Sequence, residues 1–478
     1  MTKPAMTDIG AYSYRWPHAE LTGDPAWIPA AGGRFLARAM PETLAELERD
    51  SRWPAFFPCP LALVTTTDGE QVLLEKVVGA SVVNRFPYTL ALSFCIQPLS
   101  SRHYVRRTFV DALERSGEAC VQFLPPGAAL DAAMKAVLDL PEEHTARRIA
   151  ASGLATRPAR TNRAPVFADA HMVYECRLVK PGRDFDGEAI NARPYADVGS
   201  HRVFFLEINS IQLRRDIARG ESQIHWRALP LFAPRLPEAE DGPAAGATAE
   251  ALRRMGYVKG YTPRYAFPSA GTTAFEADGE VDGPFGGMAY KDLAPLPEDQ
   301  VEVDNDRARW PCFFPSPVGM ITSWTADGRP NVMPCGSTTI VSRHPLVVAP
   351  CVSYAAINAR YARRQSLDDI RRTGRFGCGV PFIDERMVDA IRYTGNVSVV
   401  DDPEKAANAG LALAKCGETP VLDRTPVHFD CKVTGEIRLG THVMFLGEVE
   451  RIFVRADVSP DNPLEWIPWA DVRPVGEK

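Results

Sequence analysis

No C-x-x-C pair occurs in this chain of 478 residues, although it holds ten cysteines, so the spacing typical of structural zinc or a disulfide framework is missing. The thiols are expected to be reduced and mostly buried, since free cysteine packs as a small hydrophobe. No stretch of 18 uncharged apolar residues exists to span a bilayer, and the opening MTKPAMTDIGAYSYRW lacks an apolar run of secretory type. This predicts a cytoplasmic protein with no membrane partner. Positive charge is not in excess either: a formal net charge of −6 argues against a general nucleic-acid surface, which needs a basic stripe to neutralise phosphates. Also absent are G-x-x-x-x-G-K-[ST], a G-x-G-x-x-G between strand and helix, H-E-x-x-H and H-x-x-x-H. A nicotinamide, if used, has to bind without a Rossmann fold, and no metal site is expected.

What is present is a long repeat. RWPAFFPCPLALVTT from Arg52 returns as RWPCFFPSPVGMITS from Arg309, an offset of 257 residues. Solenoid and propeller units run to roughly 20–50 residues, so this is a duplicated domain. Each half continues with an apolar strand, an Asp-Gly hairpin turn, a strand of small and polar residues, a turn around Pro87 or Pro345, and a continuous apolar strand. Two helices follow. Thr108 with Asp111, and Ser366 with Asp369, fit the hydroxyl-and-acid spacing of a capped helix start. The halves close on GSHRVFFLEINSIQL from Gly199 and GTHVMFLGEVERIFV from Gly440, both β-patterned. Copy one carries an insertion of 14 residues within VKPGRDFDGEAINARPYADV, because Cys176 to His201 spans 25 positions and Cys431 to His442 only 11. It is polar and turn-rich, hence a surface loop and a candidate lid. The domain reading is an N-terminal arm (1–40), copy one (41–235), a partly extended linker (236–299) and copy two (300–478).

These motifs, in this order, resemble the flavin reductase-like family of FMN-binding split barrels. The resemblance rests on GSTTIVSRHP, SLDDIRRTGRF and GTHVMFLGEV in copy two, and it covers copy one in order but with a divergent polar strand. It implies a mainly β fold with flanking helices: tandem six-stranded antiparallel split barrels forming an intrachain pseudo-dimer, so that one polypeptide supplies both walls of a flavin groove. The resemblance places Gly336, Ser337, Thr338, Thr339 and Ser342 on the flavin-contacting strand, with Gly79, Ala80, Ser81, Val82, Val83 and Asn84 at the corresponding place in copy one.

A flavin phosphate needs donors and positive charge, which helix starts and guanidinium groups supply. Arg363, Arg364 and Ser366 are the candidates in copy two, and Arg106, Arg107 and Thr108 in copy one. Ser366 reads equally well as a helix cap alone. Copy one offers fewer hydroxyls, which favours one competent and one degenerate site. His442 and His201 fall on the family's G-x-H position, where flavin and nicotinamide meet; a lone strand histidine is otherwise commonly structural.

Three activities remain open. The first is NAD(P)H:flavin reductase-type hydride transfer, with FMN (or FAD), NADH or NADPH as donor and a partner monooxygenase as consumer. The second is an enzyme with tightly bound FMN acting on a small organic substrate under the inserted loop. The third is a non-catalytic flavin-binding pseudo-dimer. Under each, the chain is either a monomeric pseudo-dimer or pairs further as a homodimer.

Overall fold

The computed structural model describes residues 26–40, 57, 61–77, 79–84, 87–97, 105–124, 128–184, 186–218, 277–283, 286–293, 314, 318–354, 363–381 and 385–456. The Arg-Trp-Pro openings at Arg52 and Arg309, and linker positions 236–276, lie outside the described residues.

A first hairpin, β1 (Ile28–Pro29) and β2 (Phe35–Ala39), precedes copy one. Copy one contains β3 (Ala62–Asp68), β4 (Gln71–Val77), β5 (Gly79–Asn84), β6 (Thr89–Cys95), α1 (Arg107–Ser116), β7 (Glu118–Phe123), α2 (Ala128–Asp139), α3 (Arg148–Ser152), β8 (Met172–Leu178), β9 (Tyr195–Val198) and β10 (His201–Arg214). A second hairpin, β11 (Gly279–Val281) and β12 (Met288–Asp292), precedes copy two. Copy two contains β13 (Gly319–Trp324), β14 (Pro330–Cys335), β15 (Thr338–Arg343), β16 (Leu346–Ser353), α4 (Gln365–Thr373), β17 (Arg375–Val380), α5 (Glu385–Asn396), α6 (Lys405–Asn408), β18 (Val427–Arg438) and β19 (His442–Arg455).

All pairings are antiparallel. In copy one the ladder runs β4-β3-β7-β8-β10-β6-β5, and in copy two β14-β13-β17-β18-β19-β16-β15. β4 and β5 follow each other along the chain but pair at opposite ends of the ladder, as do β14 and β15, so each sheet curls round on a broken strand. Counting each broken strand once gives six strands per barrel, the tandem split barrels that the sequence implies. The Asp-Gly turns form with Gly69 at φ +61° and Gly328 at +79°, a region that costs glycine nothing.

α1 packs Phe109, Val110, Ala112 and Leu113 inward and ends on left-handed Gly117; α4 turns Leu367 and Ile370 inward and ends on Gly374. The helix starts differ from the capping expectation. The cap positions belong to Arg106 and Arg364, neither of which makes a side-chain cap bond. Thr108 is therefore already helical and gives its backbone N–H to the carboxylate of Glu142. Ser366 lies buried at the second helical position, its Oγ accepting from Asn331 Nδ2 at 3.1 Å.

The two barrels exchange their leading segments. β2 pairs with β19 of copy two (Phe35 opposite Arg455), while β12 pairs with β10 of copy one (Met288 opposite Arg214). Phe57 packs 6.2 Å from Phe429 of copy two, and Phe314 sits between Phe123 and Tyr174 of copy one, 5.4 Å from each. The repeated Phe-Phe of the opening motif thus carries one ring into the opposite core.

Candidate functional site

The small-residue strands β5 and β15 meet about the pseudo-twofold. Their joint buries Val83, Ala91, Val203 and Phe205 against Val341, Val347, Ala349 and Met444, and Ser93 Oγ donates to Val341 O at 2.7 Å. Glycine is required here. A Cβ on Gly79 would stand 2.6 Å from Ile340 O, and one on Gly199, itself at φ +53°, 2.4 Å from His344 O. Ser342 and Asn84, assigned by resemblance to the flavin strand, are both buried in this joint. Ser342 Oγ accepts from Ser200 N at 3.3 Å, and Asn84 Oδ1 accepts from Thr441 N at 2.9 Å and Thr441 Oγ1 at 2.7 Å. Each copy's polar strand therefore holds the G-[ST]-H turn of the other.

That contact fixes a proton. Thr441 spends its hydroxyl hydrogen on Asn84 Oδ1, so in its 2.7 Å contact with His442 Nδ1 the hydroxyl oxygen accepts. His442 thus carries hydrogen on Nδ1. His201 makes the matching 2.8 Å contact with Ser200 Oγ. His442 stands opposite Ser353 in the β16–β19 ladder, and Ser353 O accepts from Arg364 N at 3.1 Å, which brings the histidine edge and the start of α4 to one place.

On β15, Thr338 Oγ1 donates to Cys335 O at 3.1 Å and Thr339 Oγ1 is turned to Ile340 O at 3.5 Å, both side chains buried. Gly336 and Ser337 are half-buried at the break between β14 and β15. In copy one, Ser81 is buried, with Oγ directed to Val82 O at 3.4 Å.

Around the start of α4, exposed Arg363 pairs with Asp368, whereas Arg364 turns inward and donates to Gly395 O at 2.7 Å. Beside it is a residue that motif reading did not select, Lys405, 4% exposed and donating to Val397 O at 3.1 Å and Thr394 O at 3.4 Å. Burial lowers both cations, and for Lys405 the neighbouring Arg364 adds to it, bringing the ammonium down to about 8. Among the described residues no carboxylate makes an ion pair with either. Asp369, buried nearby, is engaged by Asn331 at 3.0 Å and Gln365 at 3.2 Å instead.

Copy one has the same basic pair with a different outcome. Arg148 matches Lys405 at the repeat offset, as left-handed Gly153 matches Gly410, and Arg106 caps α1 as Arg364 caps α4. Here Glu75 reaches between the cations, its Oε2 2.5 Å from Arg106 Nε and 2.5 Å from Arg148 Nη1, with all three side chains buried. Arg107 lies on the exposed side, donating to Ile96 O at 3.0 Å.

The 14-residue insertion of copy one reaches copy two. Its hairpin, Gly182–Arg183 with Ala189–Ile190, holds Asp184, whose Oδ1 accepts from Asp186 N and Glu188 N, both at 2.9 Å. Asp184 Oδ2 lies 2.7 Å from Arg438 Nη2, and the Arg438 guanidinium sits 4.5 Å above the Tyr354 ring. Tyr354 donates to Gly440 O and its N–H to Thr441 O, so the inserted hairpin braces the turn that carries His442. Burial, then the Asp184 hydrogen bond, raises the Tyr354 phenol, which stays a neutral donor. Among the described residues no group of three or more acidic, cysteine or histidine side chains is placed to hold a metal, and no helix is long and apolar enough to cross a membrane.

A family model described as Flavin reductase like domain matches residues 55–231 and again 311–470. No curated protein matches the chain. Among solved structures, flavoredoxin of Desulfovibrio vulgaris (Miyazaki F) is 21% identical, covering 32% of this chain and 77% of its own, with a TM-score of 0.27. Nitrilotriacetate monooxygenase component B from Bacillus cereus is 22% identical, covering 36% and 87%, at 0.29. The FMN-binding protein from Thermus thermophilus with bound p-hydroxybenzaldehyde is 18% identical, covering 37% and 85%, at 0.27.

Proposed function

The chain belongs to the flavin reductase like domain family, matched twice along its length, and on that premise we propose an FMN-dependent oxidoreductase of the NAD(P)H:flavin reductase type, with the flavin held by copy two. The observation that carries this is the half-buried Arg364 beside the buried Lys405 at the start of α4, two cations that make no ion pair with a carboxylate among the described residues. Burying unpaired charge is costly, and a phosphate dianion with the N–H groups of the helix start is the chemistry that offsets it. The residues therefore fit the phosphate end of FMN. The half-buried Gly336 and Ser337, beside the His442–Ser353 edge, offer backbone and small side chains to the polar rim of the ring.

Bound flavin supplies hydride acceptance and release, the hard part of the chemistry. The chain's part is to hold the phosphate charge through Arg364 and Lys405. It also keeps His442 in one tautomer through Thr441 and Asn84, and excludes water with the inter-copy joint. NADH or NADPH as donor, and a monooxygenase as consumer of reduced flavin, complete this reading.

A second reading, FMN acting directly on a small organic substrate, is favoured by one feature: the inserted hairpin that Asp184 ties to Arg438 beside the same site. The test is the visible spectrum of the purified protein, with flavin released by heat, identified and counted, then followed anaerobically with each nicotinamide. Bleaching by NADH or NADPH supports the reductase. Bound flavin indifferent to both supports the direct enzyme, and no flavin binding sinks both.

A further inference from the structure

We infer that copy one keeps the anion subsite of a flavin-type cleft but fills it with the protein's own carboxylate, Glu75 standing where a ligand phosphate stands in copy two. This rests on reading Arg364 and Lys405 as the phosphate end of the copy-two site.

Four features carry it. The basic pair is preserved between copies, Arg148 at the offset of Lys405 and Arg106 at the helix cap of Arg364. In copy one that pair converges on a single oxygen, Glu75 Oε2, at 2.5 Å from each cation. The other oxygen, Oε1, accepts from Lys76 N at 2.9 Å, while Thr145 Oγ1 and Arg148 both donate to Leu74 O, at 2.8 and 3.1 Å, locking the strand that presents the carboxylate. A second carboxylate, Glu142, takes the Thr108 N–H at the first turn of α1, the position a phosphate would use. By the strand registers, Glu75 opposite Val64 corresponds to Met333 opposite Ile321, so copy two presents a thioether where copy one presents the acid.

A carboxylate held by two guanidinium groups is a permanent internal ligand, since it is tethered and competes at very high effective concentration. Copy one then holds no flavin, and its role is that of a wall, a brace for His442 through Asn84, and the source of the inserted hairpin.

The experiment uses the full chain. Glu75→Ala leaves two buried guanidinium groups without their shared carboxylate and should melt several degrees below the parent. Millimolar inorganic phosphate should restore much of that loss, with a larger gain than in the parent, while chloride at matched ionic strength should not. Should Glu75→Ala not accumulate folded, Glu75→Gln keeps the shape, removes the charge and takes the same phosphate comparison. A phosphate gain no larger than in the parent overturns the inference. In parallel, FMN titration should give one flavin per chain, lost in Arg364→Ala. Two flavins per chain, or one that survives Arg364→Ala, also overturns it. Absence of any FMN binding would instead count against the proposed function, and the phosphate comparison would still decide the role of Glu75.

Discussion

Asn84 belongs to copy one, yet its carboxamide oxygen decides where a proton sits in copy two. With Thr441 donating to it from both backbone and hydroxyl, Asn84→Ala strips partners from two buried donors, at a cost of about 2–4 kcal/mol. The freed Thr441 hydroxyl can then donate to His442 Nδ1, so nitrogen-15 spectra of the histidines should show His442 gaining the Nε2–H tautomer. An unchanged spectrum would remove Asn84 from any role at the site. His428 makes a different residue-scale argument. Both ring nitrogens are buried without a hydrogen-bond partner among the described residues, against Gly377, and burial pushes the imidazole down to about 3. The folded state resists a proton that the unfolded chain accepts near 6.5. The stability this residue contributes is thus whole above pH 6.5 and is lost as pH falls from there toward 3, by about 4–5 kcal/mol in all. His428→Leu should flatten the acid limb of a denaturation profile between pH 6 and 4; an unaltered limb would place acid sensitivity elsewhere.

At the scale of elements, strands were far more legible than helix starts. The repeated Asp-Gly turns, the small-residue strands and the long final strands all form where alternation and turn chemistry put them, because each is a local pattern. The helix caps were misread because hydroxyl-and-acid spacing ignores what else reaches the helix: Glu142 arrives from 34 positions away at Thr108, and Asn331 from 35 at Ser366. Glu75 between Arg106 and Arg148 could not be read from any motif. Lys405 had a visible signal, its match to Arg148 at the 257 offset, which a search for family motifs passes over. The inserted hairpin was legible as a loop, though not its destination. Because Asp186 Oδ2 also lies 2.6 Å from Arg438 Nη2, Asp184→Ala combined with Asp186→Ala should release Arg438 and loosen the Tyr354–Gly440 contact, raising amide exchange at Tyr354 and Thr441 by tenfold or more, while the corresponding Ile96 contact to Ser200 in copy one stays protected. Equal protection in both turns would reduce the insertion to decoration.

Lys405 links the site to solution conditions at the scale of the whole chain. Because its ammonium lies near 8 rather than 10.5, the folded protein without an anion sheds this proton over an alkaline window that the unfolded chain does not. The burial penalty is present below pH 8 and is relieved as pH rises toward 10.5. An anion beside Lys405 favours the charged form, so FMN binding takes up a proton and should weaken as pH rises above 8, by up to tenfold per unit. In Lys405→Met that extra pH dependence should vanish, and affinity should already be low at pH 7. A flat affinity profile between pH 7 and 9.5 in the parent would separate Lys405 from the phosphate.

The exchange of leading segments makes each barrel depend on a neighbouring copy. β2 completes the sheet of copy two and β12 that of copy one, each introduced by a Gly-Gly turn, Gly32–Gly33 and Gly286–Gly287, with Phe57 and Phe314 following into the opposite cores. Each half therefore carries the edge strand and a core ring of its neighbour, so a half cut free would expose the edge of β10 or β19 and leave a cavity of phenylalanine size, which costs about 3–5 kcal/mol. Residues 270–478 expressed alone nevertheless contain one donor segment and one acceptor barrel. Two such chains can exchange segments reciprocally across a true twofold and restore every pairing that the intact chain makes across its false one. That fragment should sediment as a homodimer and lose the dimer on Phe314→Ala, whereas 300–478, lacking β12, should aggregate or fail to fold. A stable monomer of 270–478 would show that the exchanged segments decorate the barrels rather than hold them together.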